Sequence, residues 1–338
     1  MEPARKPSRV TSFDVAERAG VSQSTVSRAL SGSAVISEAT RSRVLEVASE
    51  LGYFVDERAA RLRRGHTGTL AAVVITKPGG SARDVNPFSY ALLGGICAAA
   101  AEHGLEVLVS LQGEEDKLFG HYVDRGQAEG LIVIGTTLNR PAWDYFRGIG
   151  EASEPTAYWG SPLGDLDWVS SDNEAGARMA AEHLVERGCR ELVCIGSRGG
   201  SQRQFAERAD AFLSRAKELG ATARLVDIGE GDDRHEQGRA AAERLLADGS
   251  ADGVFAVCDA LAFGVLEAFN AVGRSVPDDI KLIGFDGLQA GELTNPPLTT
   301  IEPDLDQAGR LLVEAVTAGG PHSGIRRVPV RLLERASS

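Results

Sequence analysis

The architecture follows first from nineteen residues near the N-terminus, Ser12-Phe-Asp-Val-Ala-Glu-Arg-Ala-Gly-Val-Ser-Gln-Ser-Thr-Val-Ser-Arg-Ala-Leu30. Ala16 is small enough for a second helix to cross a first one closely, and Gly20 can adopt the positive φ of a sharp turn. Val26 is the apolar residue that closes the angle between the two helices, and Ser22 stands where the second helix needs an N-cap. An ordinary helical hairpin is the alternative, but the register of these positions favours a helix-turn-helix.

The second helix of this motif would turn a polar surface outward, formed by Gln23, Ser24, Ser27 and Arg28. The first turn of such a helix meets base edges in the major groove of DNA. Arginine can bond two acceptors of guanine, and glutamine can bond adenine with both ends of its amide. A third helix is predicted after Ser37, because apolar residues recur at helical spacing up to Leu51 and Gly52 follows as a C-terminal stop.

Charge divides the 338 residues into two unequal parts. The segment through His66 carries a net charge of +3 and the remainder carries −15, within the total of −12. DNA contact is therefore expected in the basic head and not in the acidic body. The N-terminus lacks an apolar signal region and no run reaches transmembrane length, so we expect a cytoplasmic protein without membrane contact.

Enzyme motifs and metal-ligand spacings are missing from the sequence. Gly229-Glu-Gly231 lacks a third glycine, His235-Glu236 lacks a second histidine, and the four cysteines show no CxxC pattern. We therefore expect no enzymatic activity and no cofactor. The cysteines are interpreted as reduced, buried small side chains; they are Cys97, Cys189, Cys194 and Cys258.

Beyond Leu70 short apolar runs alternate with amphipathic helical stretches. The runs fall at 70–75, 105–111, 131–134, 155–159, 192–195, 225–228, 254–258, 281–285 and 298–301. The helical stretches fall at 88–103, 173–187, 205–219, 236–247, 259–272 and 305–318. This alternation predicts parallel sheets covered by helices, in about twice the number that one sheet needs. Two Rossmann-like lobes are expected.

Several separated motifs occur in the order and spacing of a known family. They are Asp14-Val-Ala-Glu-Arg-Ala-Gly-Val-Ser22, Thr25-Val-Ser-Arg28, Ser31-Gly32, Thr40-Arg-Ser-Arg-Val44 and Leu51-Gly-Tyr53. The chain thereby resembles the LacI/GalR (lactose-repressor) family of bacterial transcription regulators. The resemblance implies a small all-α helix-turn-helix head and an α/β body of two lobes of the periplasmic-binding-protein type. It also implies a homodimeric repressor that binds palindromic operator DNA and responds to a small effector, a carbohydrate or a related metabolite.

Roles in DNA binding carry over from the resemblance. The residues expected to choose bases are Gln23, Ser24 and Arg28. The residues expected to contact phosphate or fix the head on the backbone are Thr11, Ser12, Ser22, Thr25, Ser31, Ser37 and Tyr53. A hinge helix is expected over 55–66, where Leu62 would wedge into the minor groove and Arg61 would assist it. Val55 and Ala60 depart from the hinge pattern, and the arginines beside Leu62 are equally typical of a solvated face.

The resemblance also implies the domain limits and a ligand cleft. The head would cover 1–54 and the body 67–338, with lobe one at about 67–168 and 303–325 and lobe two at about 169–302 and 326–338. Ligands of such sheets bind beyond the carboxyl ends of the strands. The residues expected to contact the effector are Phe88, Gln202, Gln204, Arg208 and Asp286. The alternative for Arg208 and Asp286 is an ion pair between the lobes that holds no ligand.

Three departures from the family pattern weaken the expectation of a common monosaccharide site. Trp159-Gly160 replaces an aspartate, Asp233 stands where an aromatic residue is usual, and Cys258-Asp259 replaces Asn-Asp. Trp159 offers either a replacement stacking face or a core residue. A regulator controlled by a protein partner, or one without a small effector, stays open as an alternative. A two-lobed solute-binding receptor is the alternative from another functional class.

Overall fold

The computed structural model describes residues 10–53, 66–152, 155–160, 162–163, 169–199, 202–229, 231, 233–249, 251–318 and 326–338. Two compact units divide the chain, residues 1–67 and 68–338. Within the described ranges no helix has both the length and the apolar composition that crossing a bilayer requires.

The first unit contains three helices around a small apolar core. They are α1 (Ser12–Ala19), α2 (Gln23–Leu30) and α3 (Glu38–Glu50). Val15, Val26 and Val44 are fully buried and lie at its centre, with alanines at the crossing points. The predicted helix-turn-helix is confirmed, since Gly20 ends α1 with φ of 65° and Ser22 caps α2. These short helices owe their stability to this shared core.

Lobe one is built on a four-stranded parallel sheet in the order β2, β1, β3, β4. Its strands are β1 (Thr69–Ile75), β2 (Glu106–Gln112), β3 (Leu131–Gly135) and β4 (Thr156–Tyr158). Its helices are α4 (Pro87–Glu102), α5 (Arg140–Glu151) and α10 (Leu305–Thr317). Helices α4 and α10 touch at Gly95 and Gly309, where a Cβ on Gly309 would lie 2.2 Å from the carbonyl oxygen of Gly95.

Lobe two is built on a six-stranded sheet in the order β12, β10, β9, β8, β6, β7, in which only the β12 pairing is antiparallel. Its strands are β6 (Glu191–Gly196), β7 (Thr222–Asp227), β8 (Gly253–Ala256), β9 (Lys281–Phe285), β10 (Thr299–Pro303) and β12 (Val330–Leu333). Its helices are α6 (Asn173–Glu186), α7 (Arg203–Glu218), α8 (Arg234–Asp248) and α9 (Asp259–Ala271). Asp233 is the N-cap of α8. Short 3-10 turns lie at Ala82–Asp84 and Glu115–Lys117 in lobe one and at Gln289–Glu292 in lobe two.

Two further strands lie in the segments that cross between the lobes. They are β5 (Val169–Ser171) and β11 (Arg326–Val328), which pair in parallel as a separate two-stranded sheet. The amide of Asp172 donates to the carbonyl of Val328, and the amide of Asp304 donates to the carbonyl of Pro329. The lobe limits proposed from the sequence at 168 and 325 fall on residues outside the described ones.

The sequence pattern missed three strands and one helix. Strands β5, β11 and β12 are only three or four residues long, too short to show a period. Helix α5 opens with Arg140-Pro141, and a proline usually marks a break. Here Pro141 lies in the first turn, where its missing N–H costs nothing, and Asn139 caps the helix by accepting from the amide of Ala142 at 3.3 Å.

The expectation that all cysteines are buried is wrong for one of them. Cys97 is exposed on α4, whereas the thiols of Cys189, Cys194 and Cys258 are buried in lobe two. Burial raises the pKa of the Cys189 thiol to about 11 and that of Cys258 to about 12. These buried thiols therefore stay protonated at neutral pH and act as small apolar side chains.

Candidate DNA surface and ligand cavity

Helix α2 is set by local hydrogen bonds at its start. The hydroxyl of Ser22 accepts from the amide of Thr25 at 3.2 Å and lies 2.8 Å from the hydroxyl of Thr25. Thr11 caps α1 in the same way, and the carboxylate of Asp14 returns a bond to the Thr11 amide at 2.7 Å. These capping bonds satisfy amides that the first helical turn leaves free.

The three base-reading candidates differ in exposure. Ser24 and Arg28 are exposed on α2. Gln23 is half-buried, and its Nε2 donates to the hydroxyl of Ser12 at 3.3 Å. The expectation that Gln23 faces outward freely is therefore too simple, because the first residue of α2 lies beside the start of α1. The second proton of Nε2 and the carbonyl oxygen of Gln23 take no part in this hydrogen bond.

The phosphate candidates lie at helix ends. Thr11, Ser22 and Ser37 are the N-caps of the three helices, and Ser31 follows α2 with its hydroxyl bonded to the carbonyl of Arg28. Tyr53 is half-buried against the core of the head. The hydroxyl of Thr11 donates its proton to the Asp14 carboxylate at 2.7 Å, and the hydroxyls of Ser22 and Ser37 lie 2.8 and 2.9 Å from those of Thr25 and Thr40, where either oxygen can donate. The remaining two phosphate candidates are Ser12 and Thr25. The hinge candidates Arg61 and Leu62 lie outside the described residues.

A cavity of about 310 Å³ lies at the carboxyl ends of the strands in the body, between the two lobes. Its volume is at the lower end of the range for small-molecule sites. All five effector candidates line it, together with β5 residues Ser170 and Ser171. The structure thus brings together side chains that are far apart in the sequence, namely Phe88, Gln202, Gln204, Arg208 and Asp286.

Arg208 on α7 is buried and held by three hydrogen bonds. Its Nε donates to Oδ1 of Asn173 at 2.9 Å, and its Nη1 donates to the carbonyl of Val257 at 2.7 Å and to Oδ1 of Asp286 at 3.1 Å. The guanidinium also lies 3.5 Å from the ring centroid of Phe285. Nη2 has no hydrogen bond to another described residue, so its protons are available to a ligand.

The Arg208–Asp286 pair lies within lobe two, so the expectation that such a pair joins the lobes is wrong, whereas an ion pair that holds no ligand stays the alternative. Asp286 follows β9 with a φ of 120°, which is rare for a residue with a side chain and is typical of functional sites. Burial raises the pKa of Asp286 to about 6, and the attraction of Arg208 offsets part of that increase.

Asp259 supports the turn that presents Asp286. Its carboxylate is fully buried and accepts from the amide of Leu288 at 2.7 Å and from the hydroxyl of Thr300 at 2.6 Å. The same hydroxyl accepts from the amide of Gly287 at 3.3 Å. Burial, and then the nearby charge of Asp286, raise the pKa of Asp259 well above its usual value.

Aromatic side chains form the wall of the cavity on lobe one. Phe88 lies in the first turn of α4, where the carboxamide of Asn86 accepts from its amide at 3.0 Å. The rings of Phe88 and Trp159 are 5.8 Å apart at an angle of 36°. Trp159 lines the cavity and also packs against the apolar core of lobe one, so its place beside the core is observed and its use as a stacking face stays a prediction.

Polar side chains of lobe two complete the cavity. Arg234 donates to the amide oxygen of Gln202 at 2.5 Å and lies over the ring of Phe205. Gln204 lies one turn before Arg208, as its spacing predicts, and is half-buried. Asp233 does not take up the place of a stacking aromatic residue, because its carboxylate caps α8 by accepting from the amide of Glu236.

Sequence reasoning missed several lining residues, among them Asn173 and Arg234. Each begins a helix that follows a strand, Asn173 in α6 and Arg234 in α8. The first turn of such a helix lies at the carboxyl edge of a parallel sheet, where ligands bind. That position was a usable signal for both residues.

Comparisons with known proteins agree with this architecture. The family model "Bacterial regulatory proteins, lacI family" matches residues 13–55, and "Periplasmic binding protein-like domain" matches 181–338. The chain is 30% identical over 346 positions to the transcriptional regulator CelR of Thermobifida fusca, covering 98% of this chain and 97% of the relative. It is 29% identical to the transcriptional repressor CytR of Escherichia coli K12, covering 100% and 99%.

Solved structures of other proteins share this architecture. A transcriptional regulator CelR–cellobiose complex is similar with a TM-score of 0.67 at 28% identity, covering 98% of this chain and all of the other. A lac repressor dimer bound to operator and the anti-inducer ONPF shares the fold, with a TM-score of 0.78 at 23% identity, covering 97% and 99%. The chain therefore belongs to the LacI family of bacterial transcription regulators, with a helix-turn-helix DNA-binding head and a periplasmic-binding-protein-like effector domain.

Proposed function

We propose that the chain is a homodimeric repressor of a palindromic operator and that a hydroxylated small molecule, a carbohydrate or related metabolite, binds in its cavity. The observation that carries the ligand proposal is the paired chemistry of Arg208 and Asp286. Nη2 of Arg208 and Oδ2 of Asp286 form no hydrogen bond to another described residue. Because a hydroxyl group both donates and accepts, it satisfies such a pair.

The aromatic wall supports the same ligand class. Phe88 and Trp159 offer an apolar surface opposite the polar side chains of lobe two. A sugar ring has C–H groups on its faces and hydroxyls at its edge, so it fits a site with one apolar and one polar wall. The related CelR structure contains cellobiose, which motivates a disaccharide among the first compounds to test.

Operator binding would use two heads and the expected hinge. The exposed Ser24 and Arg28 would meet base edges in successive major grooves while paired Leu62 side chains open the minor groove between them. The related lac repressor structure is a dimer on its operator. With its DNA target on the chromosome, the protein would act in the cytoplasm. Ligand binding would change operator affinity by a coupling of about 1 to 3 kcal/mol.

A thermal-shift screen tests the ligand proposal. Cellobiose, ribose and a panel of other mono- and disaccharides are added separately, because a ligand that binds only the folded state raises the melting temperature. A positive compound should lose its effect in Phe88→Ala and keep it in Val272→Ala, which changes an exposed apolar residue of lobe two outside the cavity. A panel without any shift would leave control by a protein partner as the better explanation.

Gel-shift measurements on genomic fragments test the DNA proposal. Specific binding should survive competitor DNA, and Leu62→Ala should weaken specific binding more than nonspecific binding. Equal losses would contradict the intercalating role of Leu62. Binding that disappears entirely at moderate salt, for every fragment, would contradict the repressor itself.

A further inference from the structure

A continuous row of hydrogen bonds leads away from the cavity toward the crossover strands. Nε of Arg208 donates to Oδ1 of Asn173 at 2.9 Å, and Nδ2 of Asn173 donates to Oε2 of Glu207 at 2.7 Å. Both nitrogens at the end of the Arg327 guanidinium donate to the Glu207 carboxylate at 3.2 Å. Arg327 on β11 also donates to the hydroxyl of Ser170 on β5 at 2.5 Å.

The side-chain carboxamide of Asn173, in the middle of this row, is held in one orientation. A carboxamide has one accepting end and one donating end, so a partner at one end dictates what the other end can bind. Asn173 is 1% exposed, and water cannot readily replace either partner. Because Glu207 takes the donating end, the oxygen of Asn173 faces Arg208 and accepts from its Nε.

The outer part of the row fixes Glu207 itself. Glu207 and Arg327 do not line the cavity, and their side chains are 26% and 34% exposed. A carboxylate that accepts two parallel bonds from one guanidinium is held in a defined plane. Arg327 in turn reaches both crossover strands, through its own place on β11 and through Ser170.

We infer that Glu207 and Arg327 are positioning residues that set the guanidinium plane of Arg208, through Asn173, and join it to the crossover strands. Three bonds then hold Arg208 so that Nη2 alone is left for a ligand, in one direction. The importance of that direction rests on the proposed function. The positioning itself is a property of the unliganded protein and is testable without any ligand.

The test follows the Nε–H signal of Arg208 in protein labelled with ¹⁵N-arginine, assigned by its loss in Arg208→Lys. In Glu207→Ala this proton should exchange with water faster by on the order of tenfold, the equivalent of one hydrogen bond to a charged group. Arg327→Ala should give a smaller increase. Glu218→Ala is the matched control, because Glu218 ends the same helix and accepts from arginines, Arg178 and Arg215, as Glu207 accepts from Arg327.

A charge-swapped double variant separates positioning from stability. Glu207→Arg with Arg327→Glu restores an ion pair between α7 and β11, but it places a donor against Nδ2 of Asn173. The melting temperature should return toward that of the parent protein while the Arg208 proton still exchanges rapidly. An unchanged Arg208 signal in Glu207→Ala, or slow exchange in the swapped variant, would overturn the inference. Neither measurement contains a ligand, so its failure is distinct from failure of the effector proposal.

Discussion

The base-reading candidates of the head and the polar residues of the cavity differ in burial and in the number of hydrogen bonds that they form within the protein. On α2, Ser24 and Arg28 are exposed, and Gln23 has one long hydrogen bond to a neighbouring hydroxyl. In the body, Arg208 is 5% exposed, makes three hydrogen bonds and lies on the ring of Phe285. DNA would supply the partners that the head lacks, whereas the cavity has most of its partners already.

This difference separates binding from stability. Exposed polar groups exchange water for a partner and contribute little to folding, but a buried charge is costly as soon as its partner is removed. Substitutions on the exposed surface of α2 should therefore change DNA affinity at nearly constant stability. Substitutions among the buried cavity residues should change stability even without a ligand.

Arg208→Ala should have the largest effect. It leaves Asp286 buried without its cation, and breaking a buried pair in this way typically costs about 3 to 5 kcal/mol. Urea unfolding of the parent protein and the variant measures the loss. Arg178→Ala, which removes a partly exposed arginine from its pair with Glu218, serves as the control and should leave stability essentially unchanged.

The double variant Arg208→Ala with Asp286→Asn checks the cause. Removing the stranded carboxylate together with its partner should recover part of the stability, because no buried charge is then left unpaired. If Arg208→Ala alone has the same free energy of unfolding as the parent protein, the buried contacts of Arg208 contribute no more to stability than the exposed polar groups of the head.

The pH dependence of stability should show the second largest effect. The pKa of Asp286 is about 6 in the folded protein against an ordinary value of 3.8, so the folded state binds this proton more tightly than the unfolded state. The parent protein should gain stability relative to Asp286→Asn as the pH falls from 7 to 4, by at most about 3 kcal/mol. The gain is complete below the unfolded value and is lost as the pH rises through the folded one.

Unfolding of both proteins across this pH range measures the difference. The charge of Asp286 is one cause of the raised pKa of Asp259, so the difference reports the titration of these two carboxyl groups together. If the stability of the parent protein relative to Asp286→Asn instead increases with rising pH, Arg208 keeps Asp286 charged throughout this pH range. The two residues then behave as an ordinary surface ion pair.

The same contrast explains what could be predicted from sequence. The helix-turn-helix of the head depends on residues within the single stretch 12–30, so Ala16, Gly20 and Val26 specify its fold and Ser22 its cap. The cavity depends on which strand ends meet, and spacing predicts only which loops converge. Arg208 and Asp286 were found because a resemblance assigned them. Asn173 and Glu207 were not found, since their roles arise from contacts across 34 residues of chain.

Arg28→Ala tests the exposed side of the comparison. Losing an arginine that bonds a guanine should cost about 1 to 3 kcal/mol of specific affinity, with little effect on unfolding. Gel shifts on a genomic fragment selected by the parent protein measure this loss. Arg43→Ala removes an exposed arginine of α3 and is the charge-matched control. If both variants weaken specific and random DNA equally, Arg28 contributes only its charge.

Ser22→Ala should have the smallest effect, because Ser22 belongs to both sides of the comparison. It caps α2 through the amide of Thr25 and is also a candidate for phosphate contact. Loss of the cap should cost about 1 kcal/mol and speed amide exchange in α2, while Ser27→Ala, exposed within the same helix, should not.

Ser22→Asp divides the two roles of this residue. Aspartate caps a helix as well as serine does, so exchange in α2 should stay slow. Its negative charge would face phosphate, so DNA affinity should fall below that of Ser22→Ala. Equal affinities in the two variants would assign Ser22 to the fold alone. The phosphate contacts of the head would then have to come from the other candidates, of which Thr11 and Ser37 are also N-caps of helices and Ser31 is not.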